Sequence, residues 1–227
     1  MPITHTVRNQ VFIGCPYKTV RPKYERVIRE LNKKYPLCFE IIGSTTSREA
    51  TELLGLIKEK LGASSAAIFD ATGGNANVSL EFGYAEGRNI PRHIYISEHG
   101  SATKVHKSSS IIADLQGKVR NVYKQEAALD SMLENFCKSH PYSVKFDRVL
   151  RRAVHREGTG QKIRLRKLAV KIVHQLDHQP DGVRHSDVVQ NMTADGYSDD
   201  ETTRVIGYLH KGGLLVSNRG GHSYIEI

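Results

Sequence analysis

Residues 66–88 read AAIFDATGGNANVSLEFGYAEGR, and this stretch decides the fold. Ala66 to Phe69 is a short apolar run that ends in a carboxylate, Asp70. The Gly/Asn-rich turn Thr72-Gly73-Gly74-Asn75-Ala76-Asn77 follows, and an amphipathic segment then carries a second carboxylate, Glu81, one turn in. An apolar run of strand length, a glycine-rich turn and a helical period predict strand, loop and helix in succession. In an open α/β sheet, ligands bind in the crevice beyond the carboxyl ends of the strands. Both acids are therefore expected to face one crevice.

Working outward, the first half alternates strand and helix patterns, which favours a parallel sheet with crossover helices. Val11 to Cys15 reads as the first strand. Pro22 opens a helix where its missing N–H costs nothing, and Tyr24, Val27, Ile28, Leu31 and Tyr35 form its apolar stripe. Cys38 to Ile42 reads as the second strand. Thr46-Ser47-Arg48-Glu49 fits a capping box for a helix that buries Leu53, Leu54, Ile57 and Leu61. Ala66 to Asp70 is the third strand and His93 to Ile96 the fourth. Ser97 to Ser110 reads as a polar loop near the site. The pattern leaves the fifth strand unplaced within Ile111 to Tyr123, and Ala127 to Phe136 closes the half as a helix.

The second half has another grammar. Ile163 to Leu176 is a basic amphipathic helix, Ser186 to Met192 a short helix, and Ser198-Asp199-Asp200-Glu201 a capping box opening a helix through Val205, Ile206 and Leu209. Leu214 to Ser217 and Ser223 to Ile227 are predicted as strands around Asn218-Arg219-Gly220-Gly221. Three helices and a glycine-turned hairpin resemble a winged helix-turn-helix. The expected class is α/β: a Rossmann-like (flavodoxin-like) parallel sheet domain over 1–145, a basic linker over 146–161, and a winged helix-turn-helix over 162–227.

Composition narrows the partners. The chain of 227 residues carries a net charge of +9, so polyanions are plausible ligands. Nine cations fall between Arg148 and Lys171, against the single acid Glu157. Closely spaced cations displace condensed counterions from nucleic acid. The candidate nucleic-acid contacts are Arg151, Arg152, Arg164, Arg166, Lys167, Arg204, Lys211 and, at the wing, Arg219, with Thr202, Thr203, Tyr208 and His222 on the same faces. The acids Asp199, Asp200 and Glu201 oppose this, and a winged helix can also dock protein. No apolar run approaches the roughly 18 residues that span a bilayer, and MPITHTVRNQ lacks a signal-peptide core. Cys15, Cys38 and Cys137 are odd in number and far apart, which favours a reducing compartment; a cytoplasmic location is expected. The histidines are scattered, and His174/His178 lacks a third ligand, so no metal is expected.

The chemistry centres on Glu81. With Asn77 as helix cap, Asn77, Glu81, Tyr84 or Ala85, and Arg88 share a face, while Val78, Phe82 and Ala85 cover the core side. The helix dipole favours an ionised Glu81. A carboxylate in a closed pocket can attack or stabilise a sugar C1 as it gains positive charge, because glycosidic transition states are oxocarbenium-like. Asp70 is placed to accept from a ribose hydroxyl, and the amides of Gly73, Gly74 and the helix N-terminus to cradle an anion. Each residue taken singly has an ordinary reading: dipole complement, strand-end hydrogen bond, cap.

Residues 70–86, DATGGNANVSLEFGYAE, resemble the D…N-x-N-V-x-x-E-x-G-Y-A signature of the nucleoside 2-deoxyribosyltransferase-like group, which is similar in fold to TIR-like nucleotide-binding proteins. Phe12-Ile13-Gly14-Cys15-Pro16-Tyr17 resembles that group's first strand and following loop. The resemblance covers roughly residues 8 to 140. It implies that Glu81 is the catalytic carboxylate of N-glycosidic cleavage, with Gly14, Tyr17, Asp70, Asn75, Asn77 and Tyr84 as substrate contacts and no cofactor. Gly73, Gly74 and Asn75 stand where many transferases of the group place a second acid, so hydrolysis of a nucleotide or NAD is expected over transfer. Such a domain followed by a winged helix resembles the toxin effectors of bacterial retrons, an anti-phage defence. That implies a complex with a reverse transcriptase and DNA or a DNA–RNA hybrid, and the group's sites are often completed across a homo-oligomer. Two rivals stand beside this reading: a nucleotide-sensing, DNA-binding regulator without activity, and a structural adaptor in a nucleoprotein complex.

Overall fold

A computed structural model of the chain describes residues 6–18, 20–42, 50–97, 120–177, 179, 182–217 and 222–225. The chain divides into two compact units, one of residues 1–28 and 39–135, the other of residues 29–38 and 136–227.

The first unit is α/β. Its elements run β1 (Val7–Gly14), α1 (Arg21–Leu31, the second unit beginning at Arg29), β2 (Cys38–Glu40, the first unit resuming at Phe39), α2 (Ala50–Ala63), β3 (Ser64–Asp70), a 3-10 turn (Thr72–Gly74), α3 (Ala76–Gly87), β4 (Arg92–Ser97), β5 (Arg120–Tyr123) and α4 (Glu126–Ser139, the second unit beginning again at Phe136). The strands form one five-stranded sheet in the order β2-β1-β3-β4-β5, the arrangement of flavodoxin-like doubly wound sheets. β1, β3, β4 and β5 pair in parallel. The apolar runs of β1 and β3 are buried because a parallel sheet is covered on both faces: Val11, Phe12, Ile13, Ala67, Ile68 and Phe69 are all in the core. Gly14 pairs with Phe69, so the end of β1 lies beside the last turn of β3 before Asp70.

The fifth strand, which the pattern left unplaced, is Arg120–Tyr123. The stripe Tyr24, Val27, Ile28, Leu31 and Tyr35 is buried as its spacing predicts. Leu53, Leu54 and Ile57 of α2 are only half-buried, whereas Leu61 is fully buried. The capping box at 46–49 and the polar loop beyond Ser97, through 110, lie outside the described residues. α3 packs on β3 through Val78, Phe82 and Ala85, with the Phe82 ring edge-on to Phe69 at 5.5 Å. Burying a phenylalanine contributes about 2–3 kcal/mol.

The second unit contains α5 (Pro141–Ala153), α6 (Thr159–Leu176), β6 (Val183–Arg184), α7 (His185–Ala194), α8 (Asp199–Lys211), β7 (Leu215–Ser217) and β8 (His222–Ile225). Its strands form an antiparallel sheet ordered β6-β8-β7. The segment read as a basic linker, 146–161, is helical up to Ala153 and again from Thr159. Tyr142, Phe146 and Leu150 recur at four-residue spacing and are buried, Pro141 sits in the first turn, and His140 caps it by accepting from the Tyr142 N–H. The arginines thus ride the outer face of a packed helix. Leu165, Leu168, Ala169, Ile172 and Val173 of α6 are buried as their period predicts. The Ser198–Glu201 capping box closes in both directions. The turn 218–221 lies outside the described residues.

Candidate active site

The loop after β3 is built by Asp70, and its role differs from the one expected. Its carboxylate is fully buried. Oδ1 accepts from the Thr72 N–H at 3.0 Å, while Oδ2 accepts from the hydroxyls of Tyr24 at 3.1 Å and Tyr123 at 2.7 Å. Thr72 Oγ1 in turn accepts from the Ser97 N–H at 2.8 Å. Burial raises the Asp70 carboxyl above its ordinary range, and these hydrogen bonds oppose the rise. Both tyrosine hydroxyls are pushed up by burial and by the nearby Asp70 charge, so they remain donors. With both oxygens engaged and the side chain fully buried, Asp70 is an internal brace tying β3 to α1 and β5, closed off from a ribose hydroxyl.

The glycine-rich turn is likewise committed. Gly73 and Gly74 have φ of 75° and 67°, the left-handed region that only glycine enters cheaply. The Gly74 N–H donates to the Ala71 carbonyl at 3.2 Å. Asn75, rather than Asn77, caps α3: its Oδ1 accepts from the N–H of Asn77 at 2.9 Å and of Val78 at 3.3 Å. Of the amides assigned to an anion cradle, those of Gly74, Asn77 and Val78 are thus taken up by the turn and its cap.

Glu81 stands where its spacing puts it. A cavity of 380 Å³ opens at the end of β1, lined by Gly14, Cys15, Tyr17, Arg21, Asn75, Asn77 and Glu81 on its polar side. Ile42, Leu53, Leu54 and Ile57 line it as apolar wall, which explains why the α2 leucines are not sealed into the core. Glu81 is the only carboxylate among the lining residues. Burial raises its carboxyl to about 7, overriding the dipole of α3. Glu81 Oε2 lies against Gly14: a Cβ there would overlap Oε2 and come within 2.7 Å of Phe69 Cδ1.

Tyr17 reaches the cavity half-exposed, and the Arg21 guanidinium lies 5.0 Å over its ring. Arg21 was not read from the sequence as a site residue. Its Nε donates to Glu25 at 2.6 Å, but Nη1 is buried with no partner. The only sequence signal was its place four residues after Tyr17 at the start of a helix. Cys15 also lines the cavity, and burial with the nearby Asp70 charge pushes its thiol up to about 12. It is a neutral thiol without nucleophilic character. Tyr84 is not among the lining residues; it packs against the apolar cluster of Phe12, Phe69, Phe82 and Ile94.

The basic residues of the second unit divide. Arg164 forks onto Glu201 at 2.9 and 3.0 Å and covers the Tyr197 ring at 4.7 Å. Arg166 pairs with Asp147 at 3.1 Å, and Arg204 with Glu157 at 3.4 Å. Thr202 is fully buried. Thr202 thus serves the unit's own packing, while the three arginines are paired with neighbouring carboxylates that compete for their donors, Arg164 and Arg204 remaining exposed. Arg151, Arg152, Lys167 and Lys211 are exposed, and so is Thr203, which meets His185 Nε2 at 3.3 Å. His222 meets Arg184, and Arg219 lies outside the described residues.

Among the described residues no helix is long and apolar enough to cross a membrane, and no group of three or more His, Cys, Asp and Glu is placed to hold a metal. The three cysteines are free thiols. No protein-family model matches the chain. No curated protein matches it either. A solved structure of a conserved protein from Enterococcus faecalis V583 matches over 58% of this chain and 98% of its own, at 13% identity and a TM-score of 0.38, too loose to carry an argument.

Proposed function

We propose that the α/β unit is an N-glycosidase that hydrolyses the base–sugar bond of a nucleotide or NAD, with Glu81 as its catalytic carboxylate. The observation that carries the proposal is Glu81 itself: the sole acid among the described residues lining a cavity with apolar walls, set against a glycine that leaves it room. As the C1–N bond breaks, its electron pair leaves with the base and C1 becomes oxocarbenium-like. The ionised Glu81 stabilises that charge or bonds to C1, and low polarity around it strengthens the attraction. Water then supplies the new C1–O bond, and its proton neutralises a departing purine or pyrimidine, or goes to solvent when the leaving group is nicotinamide, which departs uncharged. A second acid is not needed for hydrolysis, in keeping with Gly73, Gly74 and Asn75 at that place.

Tyr17 offers an exposed ring for the base to stack on. Arg21 Nη1, buried and unpartnered, is suited to a phosphate or pyrophosphate oxygen, so the anion contact moves from the loop amides to this side chain. Asn77 lines the cavity as a polar contact for the sugar. The test is release of free base from a nucleotide panel and NAD by the purified chain, absent in Glu81→Gln.

For the second unit we propose a winged helix-turn-helix bound to DNA or a DNA–RNA hybrid, as in a retron-type toxin effector paired with a reverse transcriptase. Three helices, a short strand before the second and a closing pair of antiparallel strands support the reading. Arg151, Arg152 and Lys211 are its exposed cations for phosphate. Co-purified nucleic acid, lost at high salt and weakened in Arg151→Ala/Arg152→Ala, tests it.

A further inference from the structure

The second unit holds a cavity of 580 Å³, in the range of small-molecule sites, and it shares no lining residue with the Glu81 cavity. Three observations mark it as a ligand site. The first is charge. Lys33, Lys167 and Lys171 line it against one acid, Asp195, which Lys171 already holds at 2.5 Å. Lys33 pairs with Glu30 at 2.6 Å, but both side chains are exposed, and such a pair yields readily to a phosphate. Lys167 is exposed and in no ion pair among the described residues.

The second is an orphaned acceptor. On the lining residue Asn32, Oδ1 is closed to solvent with no hydrogen-bond partner, a condition that costs about 1–3 kcal/mol and that a ligand N–H relieves once the side chain turns to the cavity. The third is a pre-set aromatic and apolar lining. Tyr197 is held by two cations over its ring, the Arg164 guanidinium at 4.7 Å and the Lys171 ammonium at 5.8 Å. His174 donates from Nε2 to the Tyr35 carbonyl at 2.9 Å, and its Nδ1 accepts from the Cys38 thiol at 3.4 Å. Val170 and Met192 are buried beside them. Aromatic lining, a stranded acceptor and an unpaired lysine beside two exchangeable ones together match a nucleobase with an exocyclic amine and an adjoining phosphate.

We propose that this cavity is a second nucleotide site, taking one aminated base with its phosphate, either as a free nucleotide or as the phosphorylated end of a single strand. The proposal does not rest on Glu81. Its test uses the full-length Arg21→Ala chain, so that the first cavity lacks its anion contact. AMP, inorganic phosphate and a 5′-phosphorylated deoxyadenosine oligonucleotide are titrated in separate calorimetric experiments. The expected result is one equivalent of saturable AMP or oligonucleotide binding, weakened at least tenfold by Lys167→Glu and by Asn32→Leu. AMP binding identifies the free nucleotide as the source, and oligonucleotide binding alone the strand end. Lys167 is exposed, so its replacement leaves the fold intact, and retained affinity in that variant overturns the proposal. So does the absence of saturable binding by either probe, or phosphate binding as tightly as AMP.

Discussion

The carboxylate of Glu81 occupies the space that a side chain at position 14 would fill, so Gly14 and Glu81 form one structural feature although 67 positions separate them in the chain. β1 ends in the one residue type that lets the α3 carboxylate rest beside Phe69. Gly14→Ala forces either Oε2 or the Phe69 ring to move. Overpacking of this kind costs about 1–3 kcal/mol, so thermal denaturation should show a clear loss of stability together with a fall in base release. Unchanged melting and unchanged turnover in Gly14→Ala contradict the contact.

Glu81 also couples the site to pH. Its folded value near 7 lies above the ordinary 4.5, so the folded chain binds this proton more tightly than the unfolded chain does. The contribution to stability is therefore full below pH 4.5, falls as pH rises towards 7, and is flat above. The shift amounts to about 3 kcal/mol of destabilisation at pH 8. Glu81→Gln removes it, so the variant should melt higher than the parent at pH 8, and the gap should close towards pH 4. Equal gaps at both values sink the assignment of the shift to Glu81.

Activity runs the other way. Only the ionised carboxylate stabilises an oxocarbenium ion, so kcat/KM should rise through an apparent pKa near 7 and level off above it. A rate that falls across that interval indicates a protonated Glu81 acting as general acid.

Arg21 discriminates among substrates. With Nη1 free to take an anion, Arg21→Ala should raise KM for a phosphorylated substrate tenfold or more and leave the corresponding nucleoside little changed. Equal effects on both point to Arg21 as a support for Tyr17 alone.

Asp70 should behave as a brace. Asp70→Ala leaves the buried hydroxyls of Tyr24 and Tyr123 without their shared acceptor, which costs on the order of 3 kcal/mol. At a temperature where the variant remains folded, its KM should match the parent, since no substrate contact is lost. A large rise in KM returns Asp70 to the role of ligand.

These particulars show where sequence is informative. Strand β3 and helix α3 were legible because apolar run, glycine turn and helical period are local patterns. The position of Glu81 in that helix was legible too, but its burial was not: the dipole at the helix start favours an ionised acid, and only the fold walls it in. The partners of Asp70 were not legible, because Tyr24 and Tyr123 lie 46 and 53 positions away and only the sheet brings them together. Helix α5 was hidden by its own arginines: Tyr142, Phe146 and Leu150 carry the period, but the charge between them reads as linker. Asn75 took the cap from Asn77 because the left-handed Gly74 lets the chain turn immediately before it. Arg21 reads as an ordinary helix-start cation until the burial of its guanidinium is known.

The central claim is that Glu81 breaks an N-glycosidic bond. Purified full-length chain, incubated with NAD and a panel of ribo- and deoxyribonucleotides and analysed by chromatography for free base, tests it directly. The account predicts base or nicotinamide release from at least one phosphorylated substrate and none from Glu81→Gln of unchanged fold. Release by the Glu81→Gln chain at the parent's rate would contradict it.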